Sequence, residues 1–166
     1  MSVIDDSGIL AIATRLQRLS ERIRKDGFEV YKSQGIDFEP KFFPVVFSLY
    51  HKPGIGVLEL ATEIGYTHPS TISLLKDLES QGLVSSTKDT TDERKRLLAL
   101  SERGKELVVR MVPVWELLSL AATELTHTQN NLMLAIKEVE DLLQQKSFFE
   151  RAKEIYDRTG IKNSIK

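Results

Sequence analysis

The segment from Val57 to Gly104 constrains the fold of this chain more than any other part of the sequence. It opens with apolar residues at helical spacing, which predict a short helix from Val57 to Ile64 with one buried face. Gly65 suits the left-handed turn that ends such a helix, because glycine has no Cβ to oppose that backbone conformation. The segment is therefore expected to start with one short helix and a tight turn.

A second helix is predicted directly after this turn. Thr67 or His68 can cap its start, and Pro69 is tolerated in its first turn because the N–H that proline lacks would have no partner there. Gly82 is expected to end it. The apolar residues recur at three- and four-residue steps and predict an inward stripe of Ile72, Leu74, Leu75 and Leu78. The polar residues are then expected mostly on the outward face: Ser70, Thr71, Ser73, Lys76 and Asp77.

Two β-type runs follow the second helix. Leu83–Thr87 and Arg96–Leu100 are rich in β-branched and aliphatic residues, and the polar stretch Lys88–Lys95 between them is too long for a two-residue turn. The predicted order is therefore helix, turn, helix and hairpin. That order is typical of proteins that place one helix in the major groove of DNA.

Two motifs in this segment resemble those of the multiple-antibiotic-resistance regulator (MarR) family. The residues from Asp92 to Gly104 read DERKRLLALSERG and resemble the family's wing signature: Asp-x-Arg, a Leu-x-x-Leu strand, a Ser/Thr helix cap and a glycine. The runs His68–Ser73 and Leu78–Val84 resemble its recognition helix. A lone helix-turn-helix match is a weak signal, but two motifs at the right separation are specific. The resemblance extends less sharply over roughly residues 7–150.

The resemblance implies a mostly α, α+β winged-helix fold. A winged helix-turn-helix lobe at residues 37–104 would lie between dimerisation helices at residues 1–36 and 105–166. The implied function is that of a homodimeric transcriptional regulator that binds double-stranded DNA, with repression expected. Two-fold symmetry would require a palindromic operator with half-sites about 34–36 Å apart. A small-molecule effector, if one exists, would favour a dimer shape that no longer matches two major grooves.

The resemblance also implies which residues contact DNA. Ser70, Ser73 and similar donors can reach phosphates or base edges, and a cation at the hairpin tip suits the narrow minor groove. Leu74 is open between a thymine methyl contact and core packing. Thr91 and Glu93 occupy positions that are often basic in the family. The recognition-helix candidates are His68, Pro69, Ser70, Thr71, Ser73, Leu74 and Lys76, and the wing candidates are Lys88, Asp92, Arg94, Lys95 and Arg96.

The flanking segments carry more apolar residues than a small winged-helix core needs, and long exposed apolar stripes normally mark an interface. The first helix is predicted from about Ser7 to Gln34, with Gly35 as its stop. In the family, the first and last helices interdigitate across a two-fold axis. The candidate dimer-interface residues are Ile9, Ile12, Leu16, Leu132, Ile136, Val139, Leu143, Phe148 and Phe149.

Local signals predict further helix boundaries. A helix is expected to start near Pro44 and run to about Tyr50. Ser101 is expected to cap a helix that runs to about Leu125 and is interrupted and kinked at Pro113. Thr126-x-x-Gln129 has the pattern of a capping box for the next helix. Ser147-x-x-Glu150 is either a further cap or lies inside one helix that Gly160 ends.

Other candidate sites are weaker. Phe47, Met111, Trp115 and Leu118 could line the pocket that family members place between dimer helices and DNA-binding lobe, although aromatic residues at helical spacing are more often simple core. The three histidines lie on three different predicted elements without ligand spacing, so we expect no metal site, and we expect no cofactor.

Composition bounds the function without deciding it. The chain has 166 residues, no cysteine and no apolar run that approaches the length of a membrane span, and its start lacks a basic-then-apolar signal, so a cytoplasmic location without membrane association is expected. No nucleophile–base pair or phosphate loop is recognisable, so the chain is not expected to be an enzyme. The net charge of −1 is unusual for a DNA reader and favours modest affinity with a shallow salt dependence. It also keeps an alternative open: a winged-helix protein–protein interaction module without specific DNA binding.

Overall fold

A computed structural model describes residues 2–88 and 96–160, and the chain divides into two units, Met1–Leu118 and Ser119–Lys166. Over the described residues it forms eight helices and three strands. The helices are α1 (Val3–Asp6), α2 (Ile12–Ser33), α3 (Phe43–His51), α4 (Val57–Ile64), α5 (His68–Ser80), α6 (Glu102–Thr126), α7 (Leu132–Gln145) and α8 (Phe148–Thr159). The strands are β1 (Ile55–Gly56), β2 (Val84–Lys88) and β3 (Arg96–Leu100).

The central segment folds in the predicted order of helix, turn, helix and hairpin. Gly65 has a φ of 69° and ends α4, as expected from its position after the last apolar residue. The strands β2 and β3 pair antiparallel, with Val84 opposite Leu100. The two-residue strand β1 pairs with the other edge of β3, in the order β1-β3-β2. The pattern gave no signal for β1, because two residues show no alternation. The predicted winged helix-turn-helix is confirmed.

The core of the first unit fixes both helices of this motif. Leu60 of α4 and Leu78 of α5 are fully buried, beside Leu98 of the hairpin and Val108 of α6. Burying a leucine side chain contributes roughly 1.5–3 kcal/mol. The hydrophobic core therefore holds α5 by one face and leaves its other face free.

The start of the N-terminal helix differs from the prediction. A single helix was expected from about Ser7, whereas α1 is followed by a 3-10 turn at Gly8–Ala11 before α2 begins at Ile12. Gly8 has a φ of 62°, which an α-helix cannot contain, so the helical path is interrupted there. The predicted stop is confirmed, because Gly35 follows α2 with a φ of 67°.

Helix α3 begins as predicted, with Pro44 in its first turn, and α6 begins directly after Ser101. Helix α6 is continuous through Pro113, so the predicted interruption is wrong. The predicted capping box at Thr126 is also wrong. Thr126 is the last residue of α6 and donates its hydroxyl to Ala122 O at 2.7 Å.

The second unit holds two helices beyond the end of α6. The side chain of Asn131 caps α7 by accepting from Leu134 N at 3.2 Å. Ser147 and Glu150 form a complete capping box, so α8 is a separate helix, and Gly160 ends it with a φ of 59°. Neither α7 nor α8 contains a buried residue. Their apolar stripes are therefore open to solvent in a single chain.

Candidate nucleic-acid interface

The N-terminal turn of α5 is built by local capping. Thr67 has an extended backbone, and its Oγ1 accepts from Ser70 N at 3.3 Å and lies 2.8 Å from Ser70 Oγ. Pro69 occupies the first turn, as predicted. These contacts order the helix start without burying Ser70, whose side chain remains exposed.

The outward face of α5 contains most of the predicted recognition residues. Ser70, Ser73 and Lys76 recur at three-residue steps and are all exposed, with His68 and Pro69 exposed at the helix start. No hydrogen bond or ion pair to another described residue occupies the side chains of Ser73 or Lys76. One helix face therefore presents hydroxyl and ammonium donors that are available to a ligand.

Thr71 does not lie on this face, and its prediction as outward is wrong. Its relative exposure is 0%, and its Oγ1 donates to Thr67 O at 3.0 Å. A hydroxyl that bonds to the backbone four residues earlier can be buried at little cost, so polarity alone did not reveal its side of the helix. Leu74 is half-buried and packs against the core, which supports the packing alternative for this residue.

The end of the strand pair next to the connecting loop brings two cations together. Lys88 and Arg96 are directly opposite each other at the far end of the β2–β3 pair, and both are exposed. Like charges directly opposite each other destabilise a strand pair. Neither residue forms a salt bridge with a carboxylate elsewhere in residues 2–88 and 96–160. The two side chains therefore place two positive charges side by side at this end of the strand pair. The predicted tip residues Asp92, Arg94 and Lys95 lie outside the described residues.

One contact of the helix-turn-helix was not predicted from the sequence. Arg24 of α2 donates to the hydroxyl of Tyr66, in the turn between α4 and α5, at 3.3 Å. The two residues are separated by 42 positions, so no local pattern could have revealed the contact. It ties the turn before the recognition helix to the long helix α2.

The candidate effector residues fall into two groups. Met111 is fully buried in the core, whereas Phe47 is exposed and its ring centroid lies 5.2 Å from that of Trp115. Trp115 and Leu118 are half-buried at the core margin. Met111 therefore supports this region from beneath, and its side chain is not open to a ligand.

The exposed aromatic residues of α3 extend this region. We refer to Phe43, Phe47, Tyr50, His51 and Trp115 as the aromatic surface. Phe43, Phe47 and Tyr50 each lie edge-on to the Trp115 ring, and His51 packs against Phe47 with a centroid distance of 4.5 Å. Sequence reasoning singled out only two of the five. Phe43 and His51 each lie about one helical turn from Phe47, and this spacing was the signal in the sequence that could have predicted them.

Trp115 is held in place from the core side. Its Nε1 donates to the hydroxyl of Tyr31 at 2.9 Å. Burial raises the pKa of Tyr31, so its hydroxyl remains protonated at neutral pH while it accepts this bond. The indole ring thus has a fixed position beside the exposed rings of α3.

The residues predicted for the dimer interface are open to solvent within their own units. In the first unit, Ile9, Ile12 and Leu16 line an open groove of about 500 Å³ with Leu19. In the second unit, Val139, Leu143, Phe148 and Phe149 are exposed, and Leu132 and Ile136 are half-buried. Both sets are apolar surfaces of the kind that a partner covers.

Within residues 2–88 and 96–160, no three metal-ligating side chains are grouped so that they could hold an ion. No helix in the same ranges has the length and apolarity that crossing a bilayer requires.

The three-stranded sheet, the α4–α5 pair and the exposed face of α5 define a class of protein: a winged helix-turn-helix protein. Residues 40–95, about a third of the chain, match the sequence model of the MarR family. The match covers α4, α5 and β2 and ends before β3.

A sequence relative and two solved structures are also similar to this chain. The chain is 30% identical over 73 residues to the HTH-type transcriptional regulator Hpr of Geobacillus thermodenitrificans, which is 43% of this chain and 36% of the relative. The chain thus matches little more than a third of the length of that relative. The transcriptional repressor CouR, solved bound to a 23-mer DNA duplex, is 25% identical, with a TM-score of 0.63 over 81% of this chain and 95% of CouR.

The PcaV transcriptional regulator from Streptomyces coelicolor, solved with its natural ligand, is 14% identical and shares the fold. Its TM-score is 0.64 over 87% of this chain and 97% of PcaV.

Proposed function

We propose that this chain is a transcriptional regulator that binds a palindromic operator as a homodimer and represses transcription. The observation that carries the proposal is the outward face of α5, where Ser70, Ser73 and Lys76 are exposed on one side of a helix whose other side is fixed in the core. Hydroxyls and ammonium groups donate to phosphates and to base acceptors in the major groove. Because the helix is anchored by one face, its backbone is already ordered before these donors bind a ligand.

The two cations at the loop end of the strand pair support the same function. Lys88 and Arg96 are directly opposite each other, and a phosphate between or beside them would relieve their repulsion. These two cations favour DNA over a protein partner despite the net charge of −1, because the charge of the whole chain does not determine the charge of one surface.

Dimerisation is proposed from the apolar residues that each unit leaves open. Exposed apolar stripes lie on the N-terminal segment, where Ile9 and Ile12 are found, and on α7 and α8. A closed dimer would have two-fold symmetry, and two copies of α5 would then require half-sites about 34–36 Å apart. Repression follows the description of CouR, a repressor that was solved on DNA.

An effector site is proposed at the aromatic surface. Phe47 and Trp115 present ring faces and edges to solvent at fixed positions, and such rings favour stacking with a planar aromatic molecule. PcaV was solved with a natural ligand, which makes a ligand-binding role reasonable for this fold. Trp115 is the only tryptophan, so titration of its emission with benzoate tests the site directly.

The DNA-binding proposal is tested in two steps. The purified protein first captures fragments of sheared genomic DNA at physiological salt, and the recovered sites are read for a palindrome. Fluorescence anisotropy on a recovered duplex then compares the wild type with Lys76→Ala. If Lys76 contacts a phosphate, two copies per dimer are lost, and the slope of log K against log salt decreases by about 2.

Matched variants separate contact residues from surface charge. Lys25→Ala on α2 removes an exposed lysine that belongs to neither the proposed DNA contacts nor the proposed dimer interface, and Thr71→Val changes a buried residue of α5. Both should bind the duplex like the wild type, with size-exclusion chromatography showing the same assembly throughout. Capture of no palindromic site, or a duplex affinity equal to that of the wild type both in Lys76→Ala and in a variant that lacks Lys88 and Arg96, would point instead to a protein–protein interaction module.

A further inference from the structure

The recognition helix ends in a tight turn. Gly82 follows α5 with a φ of 69°, its N–H donates to Glu79 O at 2.9 Å, and Leu83 N donates to Leu78 O at 2.9 Å. This pattern closes the last turn of a helix by using carbonyls that would otherwise lack partners. The end of α5 is thus a rigid structure with two outward carbonyls, those of Gly82 and Leu83.

The start of α6 binds both of these carbonyls. Ser101 donates its hydroxyl to Gly82 O at 2.6 Å and its backbone N–H to Leu83 O at 3.0 Å. The same hydroxyl oxygen accepts from Gly104 N at 3.0 Å, which caps α6. A single serine therefore joins the last turn of the recognition helix to the first turn of α6.

Gly104 makes the closest approach at this contact. A Cβ at this position would lie 2.1 Å from Leu83 O and 3.1 Å from Leu83 C, and both are backbone atoms. No side chain can be placed there unless the turn after α5 moves. The two backbones are in direct contact, without side chains between them that could yield.

Beyond this contact the two elements separate. A cleft of about 670 Å³ opens between the end of α5, at Ser80 and Gln81, and the face of α6 that carries Arg103, Leu107 and Arg110. The hydrogen bonds of Ser101 and the close approach of Gly104 therefore connect the two helices at the edge of this cleft, in addition to the packing of Leu78 and Val108 in the core.

We propose that Gly82, Leu83, Ser101 and Gly104, the α5–α6 junction, are positioning residues that fix the direction of the recognition helix relative to α6. This inference rests on the proposed function, a dimer that binds two half-sites. In such a dimer, the α5–α6 junction would set the spacing between the two half-sites. A rigid junction allows one spacing, and a loosened junction allows several. Each inserted base pair moves a half-site by about 3.4 Å and rotates it, so spacing is a sensitive measure.

The test compares spacing discrimination, which a merely stabilising role would not change. Operators with the recovered spacing, and with one base pair added or removed, are titrated with the wild type, Ser101→Ala, Ser101→Thr and Ser147→Ala. Ser147 caps α8 with the same kind of bond, from Glu150 N at 3.2 Å, but is not at the junction. We expect Ser101→Ala to reduce the preference for the recovered spacing by about tenfold. Ser101→Thr, which keeps a hydroxyl, and Ser147→Ala should retain the preference.

The outcomes are distinguishable. A wild type without spacing-dependent binding would overturn the proposed function and the junction together. Wild-type discrimination that Ser101→Ala retains in full, with stability lowered as in Ser147→Ala, would overturn the junction alone. Gly104→Ala should abolish operator binding. If it does not fold, the serine variants still decide the result.

Discussion

The hydrogen bond from Trp115 to Tyr31 allows a quantitative prediction. Tyr31 is 2% exposed, and its hydroxyl accepts the indole N–H at 2.9 Å. Tyr31→Phe keeps the ring and removes only the acceptor. A buried donor left without a partner costs about 1–3 kcal/mol. Because Trp115 is half-buried and water reaches part of it, we expect the lower end, about 1 kcal/mol, in the free energy of unfolding.

Urea unfolding followed by tryptophan fluorescence measures this loss, because Trp115 is the only tryptophan. The midpoint should decrease while the dependence on urea stays the same, since the folded surface is unchanged. A loss of 1 kcal/mol corresponds to a decrease of about 2–4 °C in Tm for a chain of this size. The emission spectrum should also change, because the indole loses its partner.

Tyr50→Phe is the matched control. Tyr50 also lies beside Trp115, with ring centroids 6.1 Å apart, but its side chain is exposed. Removal of its hydroxyl should change stability by less than about 0.5 kcal/mol. A double-mutant cycle of Tyr31→Phe with Trp115→Phe isolates the pair and should give a coupling of about 0.5–1.5 kcal/mol. Circular dichroism follows unfolding in this cycle, because Trp115→Phe removes the only tryptophan. Equal losses for Tyr31→Phe and Tyr50→Phe, or no coupling, would refute the reasoning.

Three further predictions concern stability. Gly65→Ala places a Cβ at a φ of 69° and should lower the free energy of unfolding by about 1 kcal/mol, measured by a thermal melt. Gly56→Ala, at a φ of −78°, should lower it by less, and equal effects of the two variants would contradict this. Leu60→Ala, at 0% exposure, should cost about 2–5 kcal/mol, and Leu58→Ala, at 69% exposure in the same helix, less than about 0.5 kcal/mol; similar losses would show that α4 is not anchored as described. Hydrogen bonds from the Ser147 hydroxyl and backbone lower the pKa of Glu150. The stabilisation of α8 by this cap is therefore complete above the ordinary glutamate pKa, and it is lost as the pH falls through the lowered pKa. Circular dichroism between neutral pH and about pH 3 should show this loss, and Glu150→Gln should show a smaller one; identical titrations would argue against the capping box.

Much of the fold could be predicted from the sequence because its signals were local. Gly65 ended α4 because a left-handed residue was needed there, and Pro44 started α3 because its missing N–H cost nothing. Such signals depend on a few consecutive residues. Predictions from these signals were correct where packing in the core required the same backbone conformation as the local sequence.

The errors occurred where two local signals competed or where the partner was distant. Thr126 and Asn131 are both acceptable caps, and α6 simply continued to Thr126, so Asn131 capped α7. Thr71 is polar yet buried, because its hydroxyl is satisfied by its own helix. The contact between Ser101 and Gly82 spans 19 positions and follows no sequence period. The recognition face was therefore predictable in outline, whereas the contacts that orient it were not.

The absence of buried residues in α7 and α8 has a consequence for how the chain persists in a cell. An isolated helix of 12 or 14 residues is marginal in water, so these two would draw little stability from their own chain. If a second copy supplies the missing contacts, folding and assembly become one equilibrium that depends on protein concentration. At low protein concentration, unpaired copies would then expose proteolytic sites in this region, and the supply of the intact protein would be limited by pairing as well as by synthesis.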